Sequence, residues 1–192
     1  MVKVSAIVLG AGLSRRMGKE NKLFLSIRDK PMIEWVVEQV QASEVDEVIL
    51  VGSELSMDRL IRFENERIAV VENLRYESGM TSSIQAGVEV AKGDGYMICL
   101  GDQPNIRTAT YDQLIDTFCA NPESIVLPFY HGSKGNPVIL PAAYREAILT
   151  HPEPEGCKRI IQENNDYVVE VEVADAGVLM DVDTKGDYER LR

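Results

Sequence analysis

Leu9-Gly10-Ala11-Gly12-Leu13-Ser14-Arg15-Arg16-Met17-Gly18, continued two residues later by Asn21-Lys22-Leu23, decides how the rest of this chain is read. The run before it, Val4 to Leu9, is short, apolar and β-branched, the pattern of a parallel strand buried on both faces. A strand that breaks into small residues and then into Arg15, Arg16 and Lys22 gathers backbone amides and cations at the carboxyl edge of a sheet. Open α/β sheets hold their ligands at that edge. Glycines let the backbone come close to a ligand, and successive N–H groups beside guanidinium donors suit an anion carrying several charges, such as a nucleoside triphosphate. The bland alternative is a solvated cationic loop, since surface charge clusters are common.

Outward from that loop, Pro31 opens a helix over 32–41, with Ile33, Val36, Val37 and Val40 at helical spacing. Strands are expected over 47–51 and 68–71, with a helix over 58–64 between them. Strand, helix, strand, helix, strand is the signature of a parallel sheet with right-handed crossovers. A fourth strand, Tyr96 to Leu100, is more apolar than the others, as a central strand would be. Helix 108–120 and strand 124–128 follow. Glycines at 132 and 135 between two apolar stretches predict a hairpin inserted at the sheet's edge. Helices over 142–149 and 157–162, an exposed half-buried strand over 167–173 and a last helix over 185–191, capped by Thr184, complete the chain. With no repeats, low-complexity tracts or linkers, residues 1–192 read as one domain.

At 192 residues there is room for one α/β domain with a full core. The formal net charge of −11 makes nucleic acid and anionic membranes poor partners for the whole protein, so the cations at 15, 16, 19 and 22 run against the background. Cys99, Cys119 and Cys157 are odd in number and form no CxxC pair, which argues against a disulfide framework or a zinc site and fits a reducing cytoplasm. The N-terminal apolar run is too short for a signal peptide, and no stretch approaches a membrane span.

Three further segments carry chemistry. Thr81, Ser82 and Ser83 stand at the start of a helix within a loop that follows a strand; their hydroxyls cap the helix, face a ligand, or do both. Gly101-Asp102-Gln103-Pro104 sets an aspartate at the end of the central strand, where it can hold a hard cation beside a phosphate or simply make a turn. Asp181-Val182-Asp183 precedes the last helix. A dinucleotide fingerprint does not fit: Arg15 stands where a third small residue is wanted, and the second strand ends Val51-Gly52-Ser53 with no acid for a ribose. A P-loop is excluded because no Gly-Lys-Ser/Thr closes the loop.

Taken together, 9–18 with 21–23, Gly79-Met80-Thr81-Ser82-Ser83-Ile84 with Gly87, 101–104, Gly135-Asn136-Pro137-Val138 and 181–184 resemble the motifs of the MobA-like nucleotidyltransferases, in order and across nearly the whole chain. The branch they are most similar to is the molybdenum cofactor cytidylyltransferases. That resemblance implies an α/β, Rossmann-like three-layer sandwich with a mostly parallel sheet and a small hairpin insertion. It also implies transfer of a nucleotide from an NTP, CTP favoured, to the phosphate of molybdopterin, with pyrophosphate released and Mg²⁺ required. Carried over by position, Gly10, Ala11 and Gly12 contact base and triphosphate; Arg16 and Lys22 neutralise phosphates and leaving group; Gly79 and Ser83 lie near base or ribose. Asp102 binds Mg²⁺ with Asp183 as the second carboxylate, Asp181 being the substitute. An apo-molybdoenzyme is the implied protein partner.

The chain departs from the branch at three places. It has Gly10-Ala11 where the cytidylyl branch usually has two alanines and the guanylyl branch alanine then glycine, so Ala11 leans toward CTP. Asn136 stands where histidine is common, and near Glu155-Gly156-Cys157-Lys158-Arg159 the branch's usual Asp-Lys-Gly-like turn is altered. The last two fall on the acceptor side, so a cytidylyl-, uridylyl- or guanylyltransferase acting on a sugar or polyol phosphate is the rival within the enzyme class. A non-catalytic nucleotide-binding module that delivers a cofactor is the rival outside it.

Overall fold

In the computed structural model, residues 1–12, 21–152, 154 and 156–191 are described. Their strands in chain order are β1 (Val4–Leu9), β2 (Ser26–Ile27), β3 (Lys30–Pro31), β4 (Glu47–Gly52), β5 (Ile68–Glu72), β6 (Gly95–Leu100), β7 (Ile125–Tyr130), β8 (Ser133–Lys134), β9 (Val138–Pro141) and β10 (Val168–Glu172). The helices are α1 (Met32–Gln41), α2 (Met57–Leu60), α3 (Met80–Val90), α4 (Thr108–Ala120), α5 (Arg145–Leu149), α6 (Lys158–Glu163) and α7 (Lys185–Leu191). The stretch expected as one helix over 58–64 is instead α2 followed by a 3₁₀ turn, Ile61–Phe63.

Eight strands form one sheet in the order β10-β7-β9-β6-β1-β4-β5, with β8 on β7. β1 is parallel to both β4 and β6, β4 to β5, and β7 to β10. The chain leaves β1 for β4 and β5 on one side, then crosses back to pair β6 on the other. That reversal is a topological switch point, and it opens a crevice beyond the carboxyl ends of β1 and β6.

One expectation fails. The apolar stretch after Gly135 is not half of an edge hairpin: β9 lies between β6 and β7, antiparallel to both. All four of its residues are buried, Ile139 in one apolar layer and Val138 and Leu140 in the other. A strand that is apolar on both faces gains most where both faces are covered, which is the sheet interior. β8 makes a small hairpin with β7, pairing Lys134 with Phe129.

Side chains alternate across the strands into two layers, making the three-layer sandwich. Val4, Ala6 and Val8 of β1 face α1 and α4, where Ile33, Val37, Leu114 and Phe118 pack on them. Ile7 faces the opposite way, against Ile84 and Val88 of α3. At Gly87 the helix sits so close that a Cβ would come within 2.4 Å of Ile7 Cγ2. A third cluster seats the C-terminal segment: Val182 is buried with Ile27 and Met32, flanked by Trp35, Tyr188 and Leu191. Tyr188 Oη donates to the Ser26 carbonyl at 2.8 Å, and Val182 N–H donates to the Asp102 carbonyl at 3.1 Å. Thr184 caps α7 as expected: its hydroxyl accepts from Asp187 N–H while the Asp187 carboxylate accepts from Thr184 N–H.

The route from β10 to that segment is held by Asp175, which sequence reading did not single out. Its carboxylate is buried and accepts from Arg107 N–H (3.0 Å), Thr110 Oγ1 (2.6 Å) and Gly177 N–H (3.0 Å). Burial works to raise its pKa, but these donors and the Arg107 guanidinium outweigh it and hold the carboxyl below its ordinary 3.8. Asp175→Ala leaves three donors without an acceptor, at a cost of about 1–3 kcal/mol, which is about 5 °C in melting temperature for a chain of this size. Because the folded pKa is depressed, the carboxylate's contribution is present at pH above the unfolded value and is lost as pH falls through the folded value. Melting curves of the protein and the variant should therefore differ at pH 7 and draw together as the solution is acidified.

Candidate active site

Lys22 stands at the centre of the crevice. Asn21 caps a single 3₁₀ turn, Lys22–Phe24, by accepting from Leu23 N–H at 3.1 Å, and Leu23 is buried, which leaves Lys22 on the crevice side. Its Nζ lies 2.6 Å from Asp102 Oδ2 and 2.7 Å from Asp183 Oδ1. Three parts of the chain far apart in sequence thus meet at one point. Asp102 arrives on the end of β6, and Asp183 arrives because Val182 is bound to Asp102 through backbone and packed on Ile27. Asp183, and not Asp181, is the second carboxylate at this point; Asp181 is exposed and acts on Asp102 only through its charge.

The electrostatics follow from partial burial. Desolvation disfavours the Lys22 ammonium, but the two carboxylates outweigh it and raise its pKa above 10.5, so it is charged at any physiological pH. Burial raises the Asp102 pKa, Lys22 pulls it down, and the neighbouring Asp181 and Asp183 charges add to the rise. Two hard oxygen donors converging on one cation are what Mg²⁺ accepts when substrate phosphates and water supply its other ligands. Among the described residues no group of three His, Cys, Asp or Glu side chains that could hold a metal ion forms.

A cavity of about 310 Å³ opens beside the ion pair, and Ala11, Gly12, Lys22, Gly79, Ser83 and Asp102 all line it. Gly10 does not: its N–H donates to Val51 O at 2.7 Å and a Cβ there would meet that oxygen at 3.0 Å, so its part is close packing. Gly101 serves the same need on the β6 side, where a Cβ would lie 2.5 Å from Leu9 O. Gly79 adopts φ +103°, which an L side chain resists, and begins α3. Arg16 falls outside the described residues. Sequence reasoning missed Tyr76 and Glu77, which also line the cavity; they lie in a 3₁₀ turn with no distinguishing pattern.

A second cavity of about 510 Å³ adjoins the first, sharing Met80 and Leu100. Lys134, Asn136, Cys157 and Lys158 line it, so it carries two cations. The Cys157 thiol, pushed up to about 12 by burial, is not a nucleophile at neutral pH. No helix among the described residues is long and apolar enough to cross a membrane.

A crevice at the switch point of an open sheet, floored by small residues and holding a lysine between two carboxylates, is where proteins of this architecture bind their ligands. The chain belongs to the family of MobA-like NTP transferase domains, which matches residues 6–168, and is a nucleotidyltransferase of that type. It is 23% identical to the molybdenum cofactor cytidylyltransferase of Escherichia coli K12 over 98% of this chain and 95% of that one. It is also 25% identical to the nicotine blue oxidoreductase of Paenarthrobacter nicotinovorans, over 98% and 96% of the two chains. A nucleotidyl transferase structure from Methanothermobacter superposes with a TM-score of 0.84 at 22% identity, covering 99% and 96%. Two relatives at 23% and 25% identity with different names illustrate that a shared fold leaves the reaction open.

Proposed function

We propose that this protein transfers CMP from CTP to the terminal phosphate of molybdopterin, with Mg²⁺ and release of pyrophosphate. The observation that carries the reading is the convergence of Lys22, Asp102 and Asp183 beside the glycine loop. Attack on the α-phosphorus builds negative charge on the nonbridging oxygens and on the departing pyrophosphate. Lys22 meets that charge from within the crevice wall, at a site where water is partly excluded and a fixed cation counts for more than in solution. Ala11 and Gly12 offer backbone at the floor of the cavity, without side chains that would crowd a triphosphate. The acceptor phosphate is already a nucleophile, so no side chain has to act as its base; His131 and His151 are not among the residues lining either cavity. Asp102 and Asp183 would hold Mg²⁺, which when bound neutralises phosphate charge and polarises the phosphoryl group.

For the acceptor, the second cavity adjoins the first, and of the two lysines lining it Lys134 is paired with Glu170 at 2.9 Å, which leaves Lys158 as the cation best placed for a phosphorylated molecule. The name of the Escherichia coli relative supports molybdopterin in particular. Pyrophosphate release with each of the four NTPs, against molybdopterin and a panel of sugar and polyol phosphates, tests the reading. CTP with molybdopterin should be turned over at least about tenfold faster than any other pair. A faster sugar or polyol phosphate would replace the acceptor, and no turnover with any pair would leave a binding module.

A further inference from the structure

We propose that Asn73 is a positioning residue for nucleotide selection: it forces the Ser83 hydroxyl to act as a hydrogen-bond donor into the nucleotide cavity, so that the site favours a base edge of contiguous acceptors. The inference rests on the nucleotide reading above and adds what selects the base.

The argument is one of counting protons. Asn73 is 3% exposed, directly after β5, and its amide has only one orientation that satisfies its neighbours. Oδ1 accepts from Arg75 N–H at 2.8 Å; a backbone N–H can only donate, so that atom must be the oxygen. Nδ2 therefore faces the two serines, 2.8 Å from Ser82 Oγ and 3.0 Å from Ser83 Oγ, and its two hydrogens serve one each. Both hydroxyls must accept, and each has one proton left to place. Ser82 gives its proton to a carbonyl, Gly79 O at 2.8 Å or Arg75 O at 2.9 Å. Ser83 donates to no acceptor among the described residues, and it lines the cavity. Its proton is therefore available to a ligand, while a lone pair is already taken by Asn73. A side chain that could offer either polarity in isolation is held to one.

Cytosine presents two neighbouring acceptors, the ring N3 and the 2-carbonyl oxygen. Uracil and guanine each interrupt the corresponding edge with a ring N–H. Set opposite the ring nitrogen, a hydroxyl held as donor meets cytosine N3 and opposes the ring N–H of uracil and guanine, and leaving a ligand N–H facing another donor costs more than losing one contact. The pattern Asn at 73 with Ser at 83 thus biases the cavity toward CTP independently of Ala11.

Asn73→Asp keeps the shape and the bond from Arg75 N–H but turns the other atom into an acceptor, so the Ser83 proton swings inward and the hydroxyl presents lone pairs to the cavity. Binding of CTP, UTP and 3-deaza-CTP to the full chain, measured by calorimetry, reads the change. The unmodified protein should prefer CTP over both analogues by about tenfold, the scale of one satisfied against one opposed hydrogen bond. In Asn73→Asp the CTP-to-UTP ratio should fall to about one, and in the Ser83→Ala background the same substitution should change it little. Asn73→Ala, which frees the hydroxyl rather than reversing it, should lower the ratio partway; it serves if the aspartate variant does not fold. An unchanged ratio in a folded Asn73 variant, or an effect that persists in full without the Ser83 hydroxyl, overturns the proposal. Failure of the unmodified protein to prefer CTP would overturn the nucleotide assignment itself, a result visible before any variant is made.

Discussion

Lys22→Met lowers the rate of pyrophosphate release by about 10²- to 10³-fold, the loss found when one preorganised charge-stabilising donor is removed. The substitution keeps the stem of the side chain, so the 3₁₀ turn capped by Asn21 and anchored by Leu23 persists, while Asp102 and Asp183 lose their counter-ion and the melting temperature falls. Its second effect separates this site from a generic cationic pocket. In the nucleotide-free protein the Lys22 ammonium already occupies the position between Asp102 and Asp183, at 2.6 and 2.7 Å. A divalent cation entering alone must displace it; a nucleotide draws it away by offering phosphates. Titration of Mn²⁺ into nucleotide-free protein, followed by electron paramagnetic resonance, should therefore show tighter binding in Lys22→Met than in the parent, even as turnover collapses. Equal Mn²⁺ affinity in both, with near-normal turnover in the variant, would remove Lys22 from the mechanism.

Asp102→Asn should cost about 10²-fold or more in turnover while leaving the fold intact. The backbone of residue 102 keeps its hydrogen bond from Val182, and Lys22 keeps Asp183 as its counter-ion. Burial already works against the charged form of this carboxylate, so a neutral amide of the same shape is not expected to destabilise the chain and can raise its melting temperature. Activity and stability then move in opposite directions, as they do where a strained or desolvated group is kept for function. A single scanning-calorimetry trace beside the pyrophosphate assay decides it: a large fall in melting temperature would mark Asp102 as a structural turn residue instead.

Much of the scaffold was legible because its periodicities are strong. Helices over 32–41 and 108–120 occupy those residues, since their apolar faces repeat at helical spacing without ambiguity. The strand over 138–141 was misplaced because glycines before it suggested a turn at an edge, although the unbroken Val138-Ile139-Leu140 run is itself a sign of burial on both faces. Asp175 and Asn73 were not legible at all. Each matters through donors contributed by residues elsewhere in the fold, and nothing in the local sequence distinguishes them from ordinary loop residues.

Local residue chemistry was enough to establish an α/β chain, the order of its elements, and which cations and acids to watch. That information is carried by near neighbours: spacing, turn propensity, small residues where backbone must approach. Which acid faces which cation had to wait for the folded chain, because Lys22, Asp102 and Asp183 are joined by sheet order and by the seating of Val182 on Ile27 and Met32. The direction of the Ser83 proton had to wait too, since it is dictated by an amide ten residues away whose own orientation is set by a third backbone group. Contacts of that kind depend on three-dimensional closure, and a linear pattern holds no record of them.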